Sequence, residues 1–172
     1  MDELSLILHV FAATLIVGPQ VLLFFAAVPA TWLIEDEALK RAVTRVITQR
    51  YGYIAGFALL TSLVTGLYQF YNVTPNAVSD DMNSFRFGWI FISKMSLFTI
   101  FLGLLGFHGV IGRRIGRLAD AVAAGGSDED RYALENQRRI SLMLALVMML
   151  VAIGIMALGV LLGRGEFSYQ PR

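Results

Sequence analysis

Three ionisable side chains, those of His9, Lys94 and His108, interrupt stretches of sequence that otherwise carry almost no charge. Inside a membrane an ionisable group costs free energy, so a residue of this kind is a candidate for a functional site. An imidazole nitrogen is a common axial ligand of haem iron. An amine can hold an anionic group or, in its neutral form, bind a metal. Gln20 adds an uncharged polar group to this set.

The residues that would position these groups form four long apolar stretches. The 172-residue chain is 56% hydrophobic and 16% charged, with a mean hydropathy of +0.65, which is typical of integral membrane proteins. Each stretch provides the roughly 20 residues that a helix needs to cross a bilayer core. The sequence therefore predicts an all-α fold, an integral membrane four-helix bundle, as a single membrane domain over residues 1–172. Membrane-spanning helices are predicted at residues 4–33, 51–71, 87–111 and 140–163, with a cytoplasmic helical hairpin at residues 112–139.

Prolines and glycines predict where these helices bend or end. Pro19 predicts a kink in the first helix, and Pro29 predicts the end of its regular part. The pair Gly125-Gly126 breaks the extension of the third helix, and Ser127-Asp128-Glu129-Asp130 is a good start for the fourth. The outer connection, residues 72–86, is predicted to be irregular.

The distribution of basic residues predicts the orientation, because cytoplasmic loops retain Lys and Arg. Two connections on one side contain ten basic residues: Lys40, Arg41, Arg45, Arg50, Arg113, Arg114, Arg117, Arg131, Arg138 and Arg139. The other side contains three: Arg86, Arg164 and Arg172. Both termini are therefore predicted to lie outside the cytoplasm, with the chain in the lipid bilayer of a bacterial inner membrane. Nucleic acid is not expected as a partner, because the charge is confined to the connections.

Depth in the membrane decides which polar groups can meet. The first and third helices both enter from the outside, so His9 and Lys94 are predicted at nearly the same level. His108 lies about 21 Å further toward the cytoplasm than Lys94 by helical rise. A haem with two histidine ligands from one subunit is therefore excluded, because the chain contains only these two histidines.

Each of these groups is open to more than one interpretation. From its position alone, His9 fits a metal ligand and a hydrogen-bonded histidine near the interface equally well. His108, close to a basic run, fits an interfacial position better than a ligand role. Lys94 can hold the negative end of a cofactor, bind iron as a neutral amine, or snorkel outward past Trp89, and snorkelling is slightly favoured.

Three further residues complete the candidate cofactor-binding set. Met156 on the fourth helix is predicted near the depth of His9, where its thioether is an alternative to Lys94 as sixth iron ligand, although most membrane methionines only pack. Arg86, at the outer mouth of the third helix, is placed to pair with a haem propionate or to mark the interface. Gln20 shares a face of the first helix with His9.

Small residues recur on the helices that carry these groups. Close helix packing is the favoured interpretation of these glycines, and room for a flat macrocycle between helices is the alternative. The glycines are Gly52, Gly56 and Gly66 on the second helix, Gly103, Gly106, Gly109 and Gly112 on the third, and Gly154, Gly159 and Gly163 on the fourth.

Segments of all four helices resemble a known superfamily. The first contains LHVFAATLIVG, the second RVITQRYGYIAGFALLTSLVTGLYQF, and the third WIFISKMSLFTIFLGLLGFHGVIGRRIGRL, and the fourth is basic at its start and then apolar. A histidine in helix one, Trp-x₄-Lys in helix three and a later histidine before a basic run form the loose motif. In these features the chain resembles the CopD/HemJ-like superfamily of small four-helix membrane proteins. That superfamily includes HemJ-type protoporphyrinogen oxidases, the CopD copper-resistance domain and uncharacterised relatives.

The resemblance carries functional expectations. Similarity to HemJ implies haem b, with His9 and Lys94 as the residues associated with haem binding and activity. Similarity to CopD implies copper instead. The leading hypothesis is a haem b protein, an oxidoreductase that transfers electrons to or from a quinone or a partner, or oxidises a porphyrin. The alternatives are a copper-binding or copper-transport protein and a non-catalytic accessory subunit of a larger membrane complex. A homodimer is compatible with each of them.

Overall fold

The computed structural model describes residues 2–172, except for the side chain of residue 37. Every extended element in the described part is a helix, and an isolated bridge joins Phe85 to Pro171. Four helical runs are long and apolar enough to span a membrane, which confirms the prediction of an all-helical chain with four such helices. These runs are Asp2–Trp32, Ala38–Asn72, Arg86–Ala123 and Asp128–Gly163.

The α-helices are numbered in chain order. They are α1 (Asp2–Leu22), α2 (Val28–Trp32), α3 (Glu37–Asn72), α4 (Asn76–Asp80), α5 (Arg86–Ala123), α6 (Asp128–Gly163) and α7 (Gly165–Ser168). A π-helical turn, Leu23–Ala27, joins α1 to α2, and a 3₁₀ turn, Met82–Ser84, precedes α5. The connection between α3 and α5 thus contains two short helical elements where an irregular segment was predicted.

The first membrane helix accommodates its two prolines in different ways. Pro19 lies inside α1, and regular α-helix continues past it. Pro29 has no N–H to donate and its ring crowds the carbonyl one turn earlier, so a wider turn directly before it relieves the clash. Val28 accordingly donates its N–H to the carbonyl of Leu23. Regular α-helix thus gives way to a π-helical turn directly before Pro29, near where the end of its regular part was predicted, and the helical run itself continues to Trp32.

The basic segment before the second membrane span is itself helical. The Asp36 side chain accepts hydrogen bonds from the backbone N–H groups of Ala38 and Leu39, at 2.8 Å and 3.2 Å. This cap satisfies donors that have no partner within the helix, so α3 starts well before the span predicted at residues 51–71.

The turn between α5 and α6 follows the sequence signals closely. Gly125 has a φ of 90°, a left-handed conformation that glycine adopts without steric cost. Ser127 and Asp130 then form a capping box, in which each side chain accepts a hydrogen bond from the other residue's backbone N–H. Both helices extend beyond the predicted spans and meet at this turn.

Helix pairing joins the four long helices around one interior, which contains His9 and Lys94. Helix α1 packs along α3, α5 packs along α6, and contacts between α1 and α6 join the two pairs. Ala12 and Ala58 are only 1% and 0% exposed, and such small side chains let helices approach closely. The core consists of Ala12, Ile16, Ala58, Phe101, Ile111, Leu144, Met148 and Ala152.

The end of the bundle that carries both chain termini is closed by aromatic rings and by the C-terminal segment. Phe70 of α3 stacks on Phe91 of α5 with ring centroids 4.8 Å apart. The backbone N–H of Arg86 donates to the carbonyl of Gln170 at 3.1 Å, which holds the C-terminal segment against the start of α5.

Candidate cofactor-binding site

His9 and Lys94 meet between α1 and α5. The Nε2 atom of His9 lies 3.4 Å from the Nζ atom of Lys94, and both side chains are half-buried. The structure thus brings together the two residues that depth alone placed at one level. The Lys94 amine points into the bundle, so the slightly favoured prediction that it snorkels past Trp89 was wrong.

The other ring nitrogen of His9 is held by Thr65 of α3. The Nδ1 atom lies 2.9 Å from the Thr65 hydroxyl oxygen. That hydroxyl donates its only hydrogen to the carbonyl of Thr61 at 2.6 Å, one helical turn earlier. Because the hydrogen is used there, the oxygen must accept from His9, and Nδ1 must carry the proton. The lone pair of a neutral imidazole is therefore on Nε2, which faces Lys94.

Two glycines lie against the side chains of His9 and Lys94. A Cβ atom on Gly66 of α3 would lie 3.2 Å from Cε1 of His9, which is tighter than an ordinary contact. A Cβ atom on Gly159 of α6 would lie 3.5 Å from Nζ of Lys94. Gly66 thus has a specific steric role beside His9, whereas a Cβ atom on Gly159 would make only an ordinary contact with Lys94.

Four glycines in the middle of α5 do not serve helix packing within the chain. A Cβ atom on Gly103, Gly106, Gly109 or Gly112 would meet nothing within 4 Å, and all four glycines are exposed. The favoured interpretation of close packing was therefore wrong for Gly103, Gly106, Gly109 and Gly112.

The donor set suits an axial haem ligand better than a bare metal ion. Among residues 2–172, no group of three or more His, Cys, Asp or Glu side chains is placed to hold a metal ion. Haem iron is already held by four nitrogens of its macrocycle and needs as little as one nitrogen from the protein. His9 offers such a nitrogen, in a fixed tautomer and orientation.

His108 lies apart from this site and has a different partner. Its Nε2 atom is 3.1 Å from the Ser141 hydroxyl of α6, and the ring is half-buried. This contact links α5 to α6 well inside both helices, and by helical rise it lies about 21 Å from Lys94.

Gln20 also lies away from the His9–Lys94 pair. It is 6% exposed, and its Oε1 atom has no hydrogen-bond partner among the described residues. By helical rise it is about 16 Å from His9 along the first membrane helix, so the two do not form one site. The prediction that Gln20 contributes to the same cofactor site is not supported by this geometry.

Arg86 and Met156 are both directed elsewhere. The Arg86 guanidinium lies 5.0 Å from the centre of the Phe167 ring, a cation–π contact at the closed end of the bundle. Met156 is 41% exposed and belongs to the apolar outer surface, so the structure does not bring it to His9. Lys94 is the residue that the structure places opposite Nε2.

The C-terminal segment covers the same end of the molecule. Ser168 is completely buried, and its hydroxyl donates to the carbonyl of Leu162 at 3.1 Å. The Tyr169 ring packs against Phe87, and burial raises the pKa of the Tyr169 hydroxyl. These contacts close the end of the bundle at which both chain termini lie.

Sequence reasoning missed Thr65, Gly66 and Gly159 as parts of the site. Threonine in a membrane helix commonly bonds its own backbone one turn back, so nothing in the sequence singles out Thr65. The adjacent pair Thr65-Gly66 is the only available signal, because it puts a small polar group and a gap on neighbouring positions of one helix. Which helix faces that pair depends on tertiary packing.

Comparisons of this chain with protein-family models, with curated proteins and with solved structures find no match. The resemblance to the CopD/HemJ-like superfamily therefore stays a prediction, and the chemistry of the site has to be argued from its own geometry.

Proposed function

We propose that this chain is a haem b-binding integral membrane protein in which His9 binds the haem iron through Nε2. One observation carries the proposal: Thr65 fixes the Nδ1–H of His9 while its own hydrogen is held by Thr61. Histidines that bind metals almost always donate their other ring N–H to a fixed acceptor, which sets the tautomer and the ring orientation. What distinguishes His9 from His108 is that its second ring nitrogen, Nε2, faces an amine across the helix interface.

Lys94 competes with iron for the same lone pair. Nitrogen atoms 3.4 Å apart leave too little room for a metal between them, since two metal–nitrogen bonds need about 4 Å in total. Haem binding would therefore require the hydrogen bond from Lys94 to His9 to break. Lys94 would then be available to hold the bound group, either with its amine as a further iron ligand or by a charge-assisted contact with a carboxylate.

Haem b would supply one-electron redox chemistry, and the chain would supply the ligand and the apolar surroundings of the haem. The interior around His9 is built from apolar side chains of four helices, and a low dielectric of this kind tunes the potential of a bound haem. The protein is accordingly proposed to transfer electrons to or from a quinone or a partner protein, or to oxidise a porphyrin in the HemJ manner. Either activity would make it an oxidoreductase.

The proposed location is the bacterial inner membrane, with both termini outside the cytoplasm. The excess of basic residues around the turn between α5 and α6 and at the start of α3 supports this orientation. The His9–Lys94 pair then lies in the outer half of the membrane, within reach of a membrane-dissolved substrate such as a quinone.

The test is the cofactor content of protein purified in detergent from haem-replete cells. Wild type is expected to contain haem b and little copper, His9→Ala to lose the haem, and His108→Ala, the matched control, to retain it. Colourless wild-type protein would overturn the proposal. Stoichiometric copper without haem would support the copper alternative, and a cofactor-free protein that co-purifies with a larger complex would support the accessory-subunit alternative.

A further inference from the structure

A groove runs along the side of α5 that faces away from the bundle. It lies at the end of the bundle opposite the His9–Lys94 site. It has a volume of about 520 Å³, within the usual range of small-molecule sites. A neighbouring recess of about 390 Å³ shares the Arg117 side chain with it. The groove is lined by Val110, Arg113, Gly116, Arg117 and Asp120.

The charge of this groove is positive. Arg113 and Arg117 are one helical turn apart, both are exposed, and neither forms an ion pair among the described residues. Asp120, by contrast, is paired with Arg41 of α3, which also donates to the carbonyl of Ala119 at 2.7 Å. Two guanidinium groups are therefore available to a ligand, while the one carboxylate is already neutralised.

The same face of α5 continues toward the middle of the helix as a surface that contains exposed glycines. At 100° per residue, Gly106 and Gly109 lie within about 40° of Arg113 around the helix. Both glycines are exposed, and nothing lies within 4 Å of where their Cβ atoms would be. The face thus combines the two arginines near the end of the bundle with two exposed glycines nearer its middle, at a depth that lipid acyl chains reach.

We propose that this groove binds an anionic phospholipid, with its phosphate on Arg113 and Arg117 and an acyl chain along Gly106 and Gly109. Guanidinium groups match phosphate oxygens in geometry and charge. Basic recesses at the ends of membrane helices are suited to anionic lipid headgroups. The proposal does not depend on haem binding.

A second copy of the chain fits this face less well. Copies in one membrane share one orientation, so a two-fold symmetric pair on this face would set the same residues opposite each other at the same depth. Arg113 and Arg117 of both copies would then face one another, and four like charges repel. A phosphate neutralises the same charges.

The experiment compares lipid retention by the purified full-length chain in native mass spectrometry. Wild type and two double variants are titrated with dioleoyl phosphatidylglycerol, dioleoyl phosphatidylcholine and inorganic phosphate. For Arg113→Ala with Arg117→Ala, the affinity for phosphatidylglycerol should fall about 30-fold, because each arginine near an anionic headgroup contributes about fivefold. Arg45→Ala with Arg50→Ala, which removes the same charge from exposed positions of α3, should bind as wild type does.

A third variant keeps the test decisive if the arginine variant does not fold. Gly106→Leu with Gly109→Leu covers the glycine surface without changing the charge, and this variant should also fail to retain phosphatidylglycerol. Equal retention of phosphatidylglycerol by this variant and wild type would overturn the proposal. The proposal would also be overturned if the two arginine variants retained phosphatidylglycerol equally, or if inorganic phosphate bound as strongly as the lipid. Dimers in place of bound lipid would assign the face to a second copy.

Discussion

The Nδ1 atom of His9 lies 2.9 Å from the hydroxyl oxygen of Thr65, and this contact decides which nitrogen of the ring can bind a ligand. Without it, the imidazole could rotate or change tautomer, and its lone pair would no longer face Lys94. The contact also ties α1 to α3 at the level of the site. A polar pair of this kind has few alternative partners within an apolar interior.

Replacing Thr65 by valine tests this role directly. Valine has nearly the same shape and cannot accept a hydrogen bond, so the bundle should stay folded while His9 loses its orientation. Loss of such a supporting partner typically lowers metal affinity by about 10- to 100-fold. The measurement is a haem titration of purified protein. Thr65→Ser, which retains the hydroxyl, should bind as wild type does, and wild-type affinity in Thr65→Val would refute the supporting role.

Replacing Gly66 by alanine tests the space beside the imidazole. The new Cβ atom would lie 3.2 Å from Cε1 of His9, so the ring would have to shift by a few tenths of an ångström, away from the orientation that Thr65 holds. Gly56→Ala is the same substitution in the same helix, at a position where nothing lies within 4 Å of the new Cβ atom. Haem occupancy, measured as the ratio of Soret to protein absorbance, should fall in Gly66→Ala and stay unchanged in Gly56→Ala. Equal occupancy in both would show that the site has more room than the geometry indicates.

Helical rise explains why the central pair could be predicted. A membrane helix advances by a fixed distance per residue from a fixed boundary, so the depths of His9 and Lys94 follow from their positions in sequence. Depth says nothing about rotation around the helix axis. The direction of the Lys94 side chain therefore depended on the rotation of α5 within the bundle, which the sequence could not supply.

Other features depended on tertiary packing in the same way. The glycines of α5 have the same spacing that tight helix packing would use, yet Gly106 and Gly109 face outward because α6 lies on another side of α5. The capping box of Ser127 was predictable, since all its atoms lie within four consecutive residues. Local sequence signals were thus sufficient to predict where helices start. They were not sufficient to predict which distant segments contact each other.

The bundle core can be tested with two phenylalanines of α5. Phe101 is 3% exposed in the core and Phe107 is 56% exposed. In a membrane the lost apolar transfer energy is small for both, so the difference comes from the cavity that Phe101→Ala leaves. We expect Phe101→Ala to lower the free energy of unfolding by about 2 kcal/mol and Phe107→Ala to leave it nearly unchanged. Unfolding in detergent with denaturant measures both, and equal losses would contradict the packing described.

The absence of cysteine makes the orientation simple to measure. Asp81→Cys places a thiol in the outer connection, and Glu129→Cys places one beside the turn between α5 and α6; both positions are exposed. In intact cells, a membrane-impermeant maleimide should label Asp81→Cys at once and Glu129→Cys only after permeabilisation. The reverse pattern would invert the proposed topology and move the His9–Lys94 pair to the cytoplasmic half.

The claim that Nε2 of His9 binds haem iron is tested most directly by chemical rescue. His9→Gly removes the imidazole and leaves a cavity for a free imidazole molecule, so added imidazole should restore the Soret band and the α band of the dithionite-reduced protein. His108→Gly, the control, should show the wild-type spectrum with and without imidazole. If His9→Gly retains the wild-type spectrum without added imidazole, the iron has another ligand and the account is contradicted.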